Sequence, residues 1–430
     1  AVLGALMLEK DAYSIVSEIL KPECFYEKAH EKIYAAIVDL ALSQRPVDML
    51  TVTEQLKKRG ELEDVGGPFY ISQLTSKVAS SAHIEYHARI IAQKYLAREL
   101  ISFTAMIQGK AFDETLDVED LMQEAEGKLF EISQRNVKKD VTQINPVIKD
   151  AMEMLQKAAL QKEGLSGLRT GFEGLDKMTS GWQNSDLIII AARPAMGKTA
   201  FVLSMAKNIA VDFRNPVALF SLEMSNVQLV NRMIVNVCEI PGEKIKSGRL
   251  ESYEWEQLDF KIKELYDAPV YVDDTPSLSV FELRTKARRL VREHGIKILI
   301  IDYLQLMNAS GMSFGSRQEE VSTISRSLKG LAKELNIPII ALSQLNRGVE
   351  NREGEEGKRP QLSDLRESGA IEQDADIVLG LYRPAYYTRD KTDRCVELGT
   401  LKAKDSELKV IPLVWYGETQ KFKSATTRTE

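Results

Sequence analysis

Cysteine is scarce in this chain of 430 residues: only Cys24, Cys238 and Cys395 occur, far apart and without metal-type spacing. That scarcity excludes a disulfide framework and a zinc centre and fits a reducing compartment, with each thiol expected to be a small buried residue. No apolar run approaches the roughly 20 residues a membrane span requires. The apolar start, Ala1, Val2, Leu3, Gly4, Ala5 and Leu6, has no basic region ahead of it, so it does not read as a secretory leader. A cytoplasmic protein without membrane contact is expected, and the opening on alanine suggests that a few residues precede it. Positive charge is also short: 57 Lys and Arg against 63 Asp and Glu give a net charge of −6 and a pI near 5.6. A surface coated for nucleic acid is thereby disfavoured, while a local basic loop or pore stays compatible. Among the four histidines, His83 and His87 stand one helical turn apart, but no further ligand cluster accompanies them and no metal pair is expected. What is present, 44% hydrophobic and 28% charged residues, is ordinary for a globular chain long enough for two or three domains.

The most informative segment begins at residue 187. Leu187, Ile188, Ile189, Ile190 and Ala191 form a buried-strand pattern that runs into a turn ending in Gly197, Lys198 and Thr199. In a phosphate-binding loop, backbone N–H groups wrap the phosphates, a lysine reaches the β and γ oxygens, and a hydroxyl ligates Mg²⁺. Lys198 and Thr199 are assigned those roles, and Arg193, Pro194, Ala195, Met196, Gly197, Lys198, Thr199 and Ala200 form the candidate nucleotide-binding segment. The pattern's usual opening glycine is replaced by Ala192, but residues 199–211 read as a helix whose N-terminus favours an anion.

Three further apolar runs read as parallel strands that end in polar groups. Residues 297–302 end in Asp302, a candidate Mg²⁺ ligand. Residues 217–223 end in Glu223, assigned to polarise the attacking water, and residues 337–344 end in Gln344, an amide able to sense a γ-phosphate. Open α/β sheets place ligands at such strand ends. Phosphoryl transfer asks mainly for positioning and charge stabilisation, so the reaction class is nucleotide hydrolysis.

Residues 1–135 read as all-helical, with helices expected at 25–43, from a capping box at Thr51 and Glu54 to Gly60, at 82–106 and at 118–134. An association role or a plain structural cap would suit them. Residues 136–169 read as a linker holding an isolated amphipathic helix at about 147–160, whose apolar face needs a neighbouring subunit or its own domain to pack on. Residues 170–430 alternate strands and helices, giving an α/β P-loop domain with a mostly parallel sheet. Arg284, Lys286, Arg288, Arg289 and Arg292 read as a solvated helix face opposite Leu283, Ala287, Leu290 and Val291 rather than a basic patch.

These motifs resemble the hexameric replicative DNA helicases of the DnaB family, bacterial or phage. The resemblance covers nearly the whole chain. Its most specific parts are Thr170 to Phe172, Ala192 to Thr199, Phe220 to Met224, Ile301 to Leu306, Leu342 to Arg347, and Ser363 to Gly369 with Ile371 to Asp376. An alanine at position 192 is ordinary in that family. The resemblance implies a RecA-like ATPase ring that uses ATP and Mg²⁺ to move 5′ to 3′ along single-stranded DNA at replication forks. It further implies a helical collar, a linker helix docking on the adjacent subunit, and a primase and a helicase loader as partners. By motif, Lys198, Glu223, Gln344 and Arg232 are catalytic, Thr199 and Asp302 serve the metal, and Arg366, Glu367 and Gly369 grip the DNA backbone. The loop at 346–360, rich in glycine and in both charges, reads as a mobile DNA-facing loop or as a solvated one. Where the family places a Lys-x-Arg pair, this chain has Lys402 and Lys404. Either Lys404 replaces the arginine finger, or residues are missing near 402–409, or another arginine such as Arg394 substitutes. Two other readings of the site are a filament-forming recombination ATPase, against which the collar and linker speak, and a non-hydrolysing nucleotide-dependent scaffold, against which Lys198, Glu223 and Asp302 speak.

Overall fold

The computed structural model describes residues 1–9, 12–78, 83–134, 165–309, 315–390, 392–404 and 407–425, with single positions at 144, 148 and 152. The chain divides into two compact units, Ala1–Lys138 and Lys139–Glu430.

The described residues of the first unit are helical, with principal helices Lys28–Leu42, Met49–Lys58, Gly67–Ser76, Ile84–Ala111 and Val118–Gln134. Ile33, Tyr34, Ile37, Leu40, Val52, Leu56 and Ile71 are removed from solvent and form its core, with the Tyr34 hydroxyl donating to the Leu20 carbonyl at 3.1 Å. The capping box at Thr51 and Glu54 is corrected. Helix Met49–Lys58 starts earlier, because Asp48 accepts from the N–H groups of Leu50 and Thr51 while the Thr51 hydroxyl accepts from the Asp48 N–H. Thr51 thus closes the box from inside the first turn. The last two helices form a hairpin, joined by an ion pair between Lys110 and Glu124. The linker helix expected at 147–160 lies outside the described residues apart from helical, exposed Ile148 and Met152.

The second unit is built on one nine-stranded sheet in the order β3-β2-β4-β5-β1-β6-β7-β8-β9. The strands are Leu187–Ala192 (β1), Val217–Ser221 (β2), Val270–Asp273 (β3), Ile298–Asp302 (β4), Ile339–Gln344 (β5), Ile377–Tyr382 (β6), Cys395–Ala403 (β7), Val410–Tyr416 (β8) and Lys421–Ser424 (β9). The first six in space run parallel, whereas β7, β8 and β9 add an antiparallel edge that the helix–strand alternation did not foretell. Every residue of β1 is buried, because Ile188 and Ile190 face one helical layer and Leu187 and Ile189 the other. A strand covered on both faces has to be apolar throughout, which is why it reads as a continuous run. Register aligns the strand ends: Ala192 lies opposite Gln344, and Ser221 opposite Asp302. The C-terminal ends of β1, β2, β4 and β5, three of them polar, therefore open on one edge.

Cys24 and Cys238 are buried, but Cys395, at the start of β7, is exposed, correcting the expectation for that thiol. Helix Val280–His294 buries Leu283 and Ala287, while Arg284 and Arg288 pair with Glu334 and Lys286 with Asp273 and Glu282. The basic run is a helix face whose cations are largely matched. Among the described residues no helix is long and apolar enough to cross a membrane, and no three or more His, Cys, Asp or Glu side chains cluster as a metal site.

Candidate nucleotide site and nucleic-acid segment

Between β1 and helix Lys198–Lys207 the chain turns through Ala195 at φ 64° and Gly197 at φ 95°. Gly197 is required twice over: its φ lies in the left-handed region, and a Cβ there would stand 3.1 Å from the Phe422 ring of β9. Such a turn leads backbone N–H groups into a helix N-terminus, an arrangement suited to an anion. Pro194 and Ala195 are exposed at the loop's crest, Met196 is buried beneath it, and Ala200 sends its methyl into the core, leaving its main chain for any contact with nucleotide.

The side chains beyond the loop converge. The Thr199 hydroxyl donates to Asp302 Oδ2 at 2.7 Å. Lys198 Nζ donates to the Ser343 carbonyl at 3.1 Å and stands 5.4 Å from the Tyr303 ring centroid. Burial lowers the Lys198 pKa, against which the charges of Asp302 and Glu223 act. Burial likewise raises the Asp302 pKa, opposed by the Thr199 hydrogen bond and by the charges of Lys198 and Arg232. Both groups are short of compensating charge of opposite sign, the condition that a phosphate oxygen and a divalent cation relieve. A hydroxyl and a carboxylate in contact form a hard-oxygen donor pair suited to Mg²⁺.

Glu223 does not end a strand as expected. β2 stops at Ser221, whose hydroxyl accepts from the Met224 N–H at 3.1 Å, and the Leu222 N–H donates to the Asp302 carbonyl at 2.7 Å. This bend exposes Glu223 while leaving its charge close enough to perturb Lys198, Asp302 and Tyr303. Arg232 lies half-buried on helix Asn226–Cys238, within electrostatic reach of Asp302. Gln344 is half-buried at the end of β5.

The remaining residues singled out in the sequence lie on several elements. Arg193 gives the loop its backbone, but its buried guanidinium donates to Glu350 Oε1 at 2.8 and 2.6 Å and to the Leu345 carbonyl at 2.7 Å. Lys402 donates to the carbonyls of Glu372 and Ala375 at 2.6 and 2.7 Å, so its charge closes the end of helix Gly369–Asp374. Lys404 is exposed just past β7, and the Arg394 guanidinium lies 5.1 Å over the Tyr416 ring. Arg366 and Glu367 fall in the 3₁₀ segment Leu362–Ser368, and Gly369 begins the following helix; the side chains of Arg366 and Glu367 lie outside what the structure describes. The 346–360 loop holds a 3₁₀ turn, Arg347–Asn351, and a short helix, Gly354–Gly357, pinned by ion pairs of Arg352 with Asp364 and Arg359 with Glu397.

Sequence reading missed Gln305. Its amide donates to Ser343 Oγ at 2.8 Å and its carbonyl oxygen accepts from the Gln344 N–H at 3.3 Å, while Arg317 donates to its backbone carbonyl at 2.7 Å. It locks the end of β5 to the turn after β4. The clue was a polar residue within the otherwise apolar stretch Leu304 to Leu306. A cleft of about 480 Å³ opens beside it, lined by Arg193, Tyr303, Arg317, Gln344, Arg347 and Asp364 among others. Asp376, also unassigned, accepts from the Leu187 N–H at 2.9 Å and from Lys329, fixing the far end of β1.

Family models agree with this organisation. The DnaB-like helicase C terminal domain matches residues 167–424, and the DnaB-like helicase N terminal domain matches residues 1–93. The chain is 43% identical over 423 residues to the replicative DNA helicase DnaB of Geobacillus stearothermophilus, covering 98% of this chain and 92% of that protein. It is 42% identical, over the same 98% and 92%, to the replicative DNA helicase DnaC of Bacillus subtilis. A solved DnaB-like replicative helicase, described with its interactions with primase, superposes with a TM-score of 0.72 at 33% identity, over 99% of this chain and 98% of that one. A mostly parallel sheet behind a phosphate loop, a helical unit ahead of it, and similarity along almost the entire length together place this chain in the DnaB-like helicase family.

Proposed function

We propose that this protein is a replicative DNA helicase that hydrolyses ATP to move 5′ to 3′ along single-stranded DNA and unwind duplex as a ring of six copies. Residues 170–430 form its RecA-like motor, residues 1–135 an association collar, and residues 136–169 the connection. The observation that carries the reading is the meeting of Lys198, Thr199 and Asp302 at one sheet edge, beside Gln344 and within the field of Glu223 and Arg232.

Each side chain has a definable task. Lys198 neutralises charge on the outer phosphates, and the loop from Arg193 to Ala200 offers N–H donors to them. Thr199 and Asp302 would hold Mg²⁺, which when bound neutralises phosphate charge. Glu223, exposed and acidic, accepts hydrogen bonds from the attacking water and takes its proton. Gln344 hydrogen-bonds the γ-phosphate without adding charge, so its backbone registers whether that group is present. Arg232 adds positive charge within electrostatic reach of Asp302, and Lys404 reaches toward a neighbouring copy's site. Arg366, Glu367 and the N–H of Gly369 follow the DNA backbone, leaving sequence unread. Primase and a loader are proposed as partners of the collar.

Steady-state hydrolysis of ATP, with and without oligo-dT, together with unwinding of a forked duplex, tests the reading. Stimulated hydrolysis and ATP-dependent unwinding from a 5′ tail are expected. A correctly folded oligomer that does neither refutes the proposal.

A further inference from the structure

Nothing in the motif roles explains why the first side chain of the phosphate loop is spent on another loop. Arg193 is 7% exposed, and its guanidinium is divided between the Leu345 carbonyl, immediately after Gln344, and the Glu350 carboxylate. The Leu345 N–H in turn donates to the Ala192 carbonyl at 3.2 Å. Arg193 is therefore the point at which the phosphate loop, the γ-phosphate sensor strand and the 346–360 segment join.

From Glu350 the connection continues to the segment assigned to DNA. Two residues on, Arg352 pairs with the Asp364 carboxylate and donates to the Gly357 carbonyl at 3.3 Å. Asp364 also accepts from the Gln361 N–H at 2.7 Å on its side chain and from the Asn346 N–H at 3.1 Å on its carbonyl. It stands two residues ahead of Arg366 in the same 3₁₀ segment. The far end of the strap is tied separately, with Lys358 4.9 Å from the Tyr387 ring centroid and Arg359 bridging to Glu397 at 2.8 and 2.9 Å. A segment that would otherwise be a loose surface loop is thus held at three places by charge, one of them on the phosphate loop itself.

We infer that Glu350 is a positioning residue that couples nucleotide occupancy to DNA grip, by tying Arg193 of the phosphate loop to the Arg352–Asp364 pair beside Arg366. The inference rests on the helicase reading above and deepens it. On the helicase reading the phosphate loop and Gln344 both contact the triphosphate, so its binding bears on both at once. An ion pair with one buried partner transmits that effect because the guanidinium has no solvated alternative. Glu350 has no assigned contact with phosphate or DNA and pairs with Arg193, so its removal is expected to leave each site intact and to remove the link. Coupling between two sites is reciprocal, so nucleotide raises DNA affinity by the same factor by which DNA raises nucleotide affinity.

The test uses the full-length oligomer, fluorescein-labelled oligo-dT and the β,γ-imido analogue of ATP. Oligo-dT affinity is measured with and without analogue, and analogue affinity with and without oligo-dT. A wild-type coupling factor of about 5 to 150 is expected. Glu350→Gln should shrink that factor at least about fivefold in both directions, leave hydrolysis without DNA within about twofold of wild type, and abolish most DNA stimulation. Glu350→Asp, which keeps the carboxylate, should restore part of the coupling, and equal melting temperatures would show that folding is unaffected. If Glu350→Gln and Glu350→Ala both keep the wild-type coupling factor, the inference is wrong while the helicase reading stands. If the wild-type protein shows no DNA-stimulated hydrolysis, the helicase reading fails first.

Discussion

Thr199 lies at the start of the helix that follows β1 and Asp302 ends β4, the strands on either side of β5, and the threonine hydroxyl lies 2.7 Å from the aspartate Oδ2. A hydroxyl that donates to a carboxylate turns its lone pairs outward, and the carboxylate keeps a second oxygen for another partner. Thr199→Ser preserves this geometry and should retain at least about a third of wild-type ATPase activity. Thr199→Val removes the donor and leaves a raised-pKa carboxylate without its hydrogen bond. Its turnover should drop about a hundredfold, with a higher Mg²⁺ concentration needed for half-maximal rate. A Mg²⁺ titration of hydrolysis checks this, and an unchanged half-maximal concentration would remove Thr199 from the metal.

Glu223→Gln tests the water-polarising role. The residue is exposed and holds no structural hydrogen bond between strands, since the bend around it is fixed by Ser221, Leu222 and Met224. The amide should therefore leave folding and ATP affinity within about twofold of wild type and lower turnover by two orders of magnitude or more. Turnover within about threefold of wild type would assign the base elsewhere.

Arg366→Ala addresses the DNA path. An arginine on the phosphodiester backbone contributes counterion release but no sequence discrimination. Affinity for oligo-dT, oligo-dA and mixed sequence should weaken by a common factor, and the slope of log affinity against log salt should flatten by about one unit. An unchanged salt slope in fluorescence anisotropy would take Arg366 off the DNA.

The parts of this site legible in the sequence are those set by local pattern. Continuous apolar runs announced β1, β4 and β5; the last two ended on Asp302 and Gln344, which register brings to the common edge, and the first led into the phosphate turn. Side-chain direction was not legible. Arg193 sits inside a phosphate-loop motif, and only the fold reveals that Glu350, 157 residues away, claims its guanidinium. Glu223 read as a strand end because its neighbours are apolar, although a serine hydroxyl closes a turn just before it. The antiparallel edge of β7, β8 and β9 went unnoticed because edge strands are half-exposed and carry polar residues between buried ones, a weaker signal than a buried run. The motif set Lys404 apart from Lys402 by position alone; that Lys402 closes a helix end while Lys404 is exposed is visible only in the fold.

Glu334 gives the fold a pH dependence of known sign. Burial alone would raise its carboxyl, but hydrogen bonds from Arg288 and Arg284 outweigh that and hold it below the ordinary 4.5. A folded pKa below the unfolded one means that this stabilisation is complete above about pH 4.5 and fades as the pH falls through the lower folded value. Glu334→Gln should therefore melt a degree or two lower than wild type at about pH 7, with the gap closing on acidification. A gap of constant size by calorimetry across that range would show that the arginines do not depend on the carboxylate charge.

Three cations compete for the role of reaching a neighbouring copy's nucleotide, and the structure ranks them. Lys402 is committed to carbonyls at the end of helix Gly369–Asp374, and Arg394 lies over Tyr416 with its carbonyl accepting from the Trp415 N–H at 2.8 Å. Lys404 is exposed beyond the last residue of β7 and is the one that can extend outward. A lysine lacks the forked donors of arginine, so its contribution falls below the thousandfold or more typical of an arginine finger. Lys404→Ala should lower DNA-stimulated hydrolysis at least about tenfold without weakening ATP binding, whereas Arg394→Ala should stay within about threefold. The proposed action of Lys404 on the adjacent copy predicts that mixing Lys404→Ala with Lys198→Ala protomers recovers activity above that of either alone. A mixed ring then contains sites pairing an intact Lys198 with an intact Lys404. Absence of recovery in rings shown by mass measurement to be mixed would mean that Lys404 does not act across the interface.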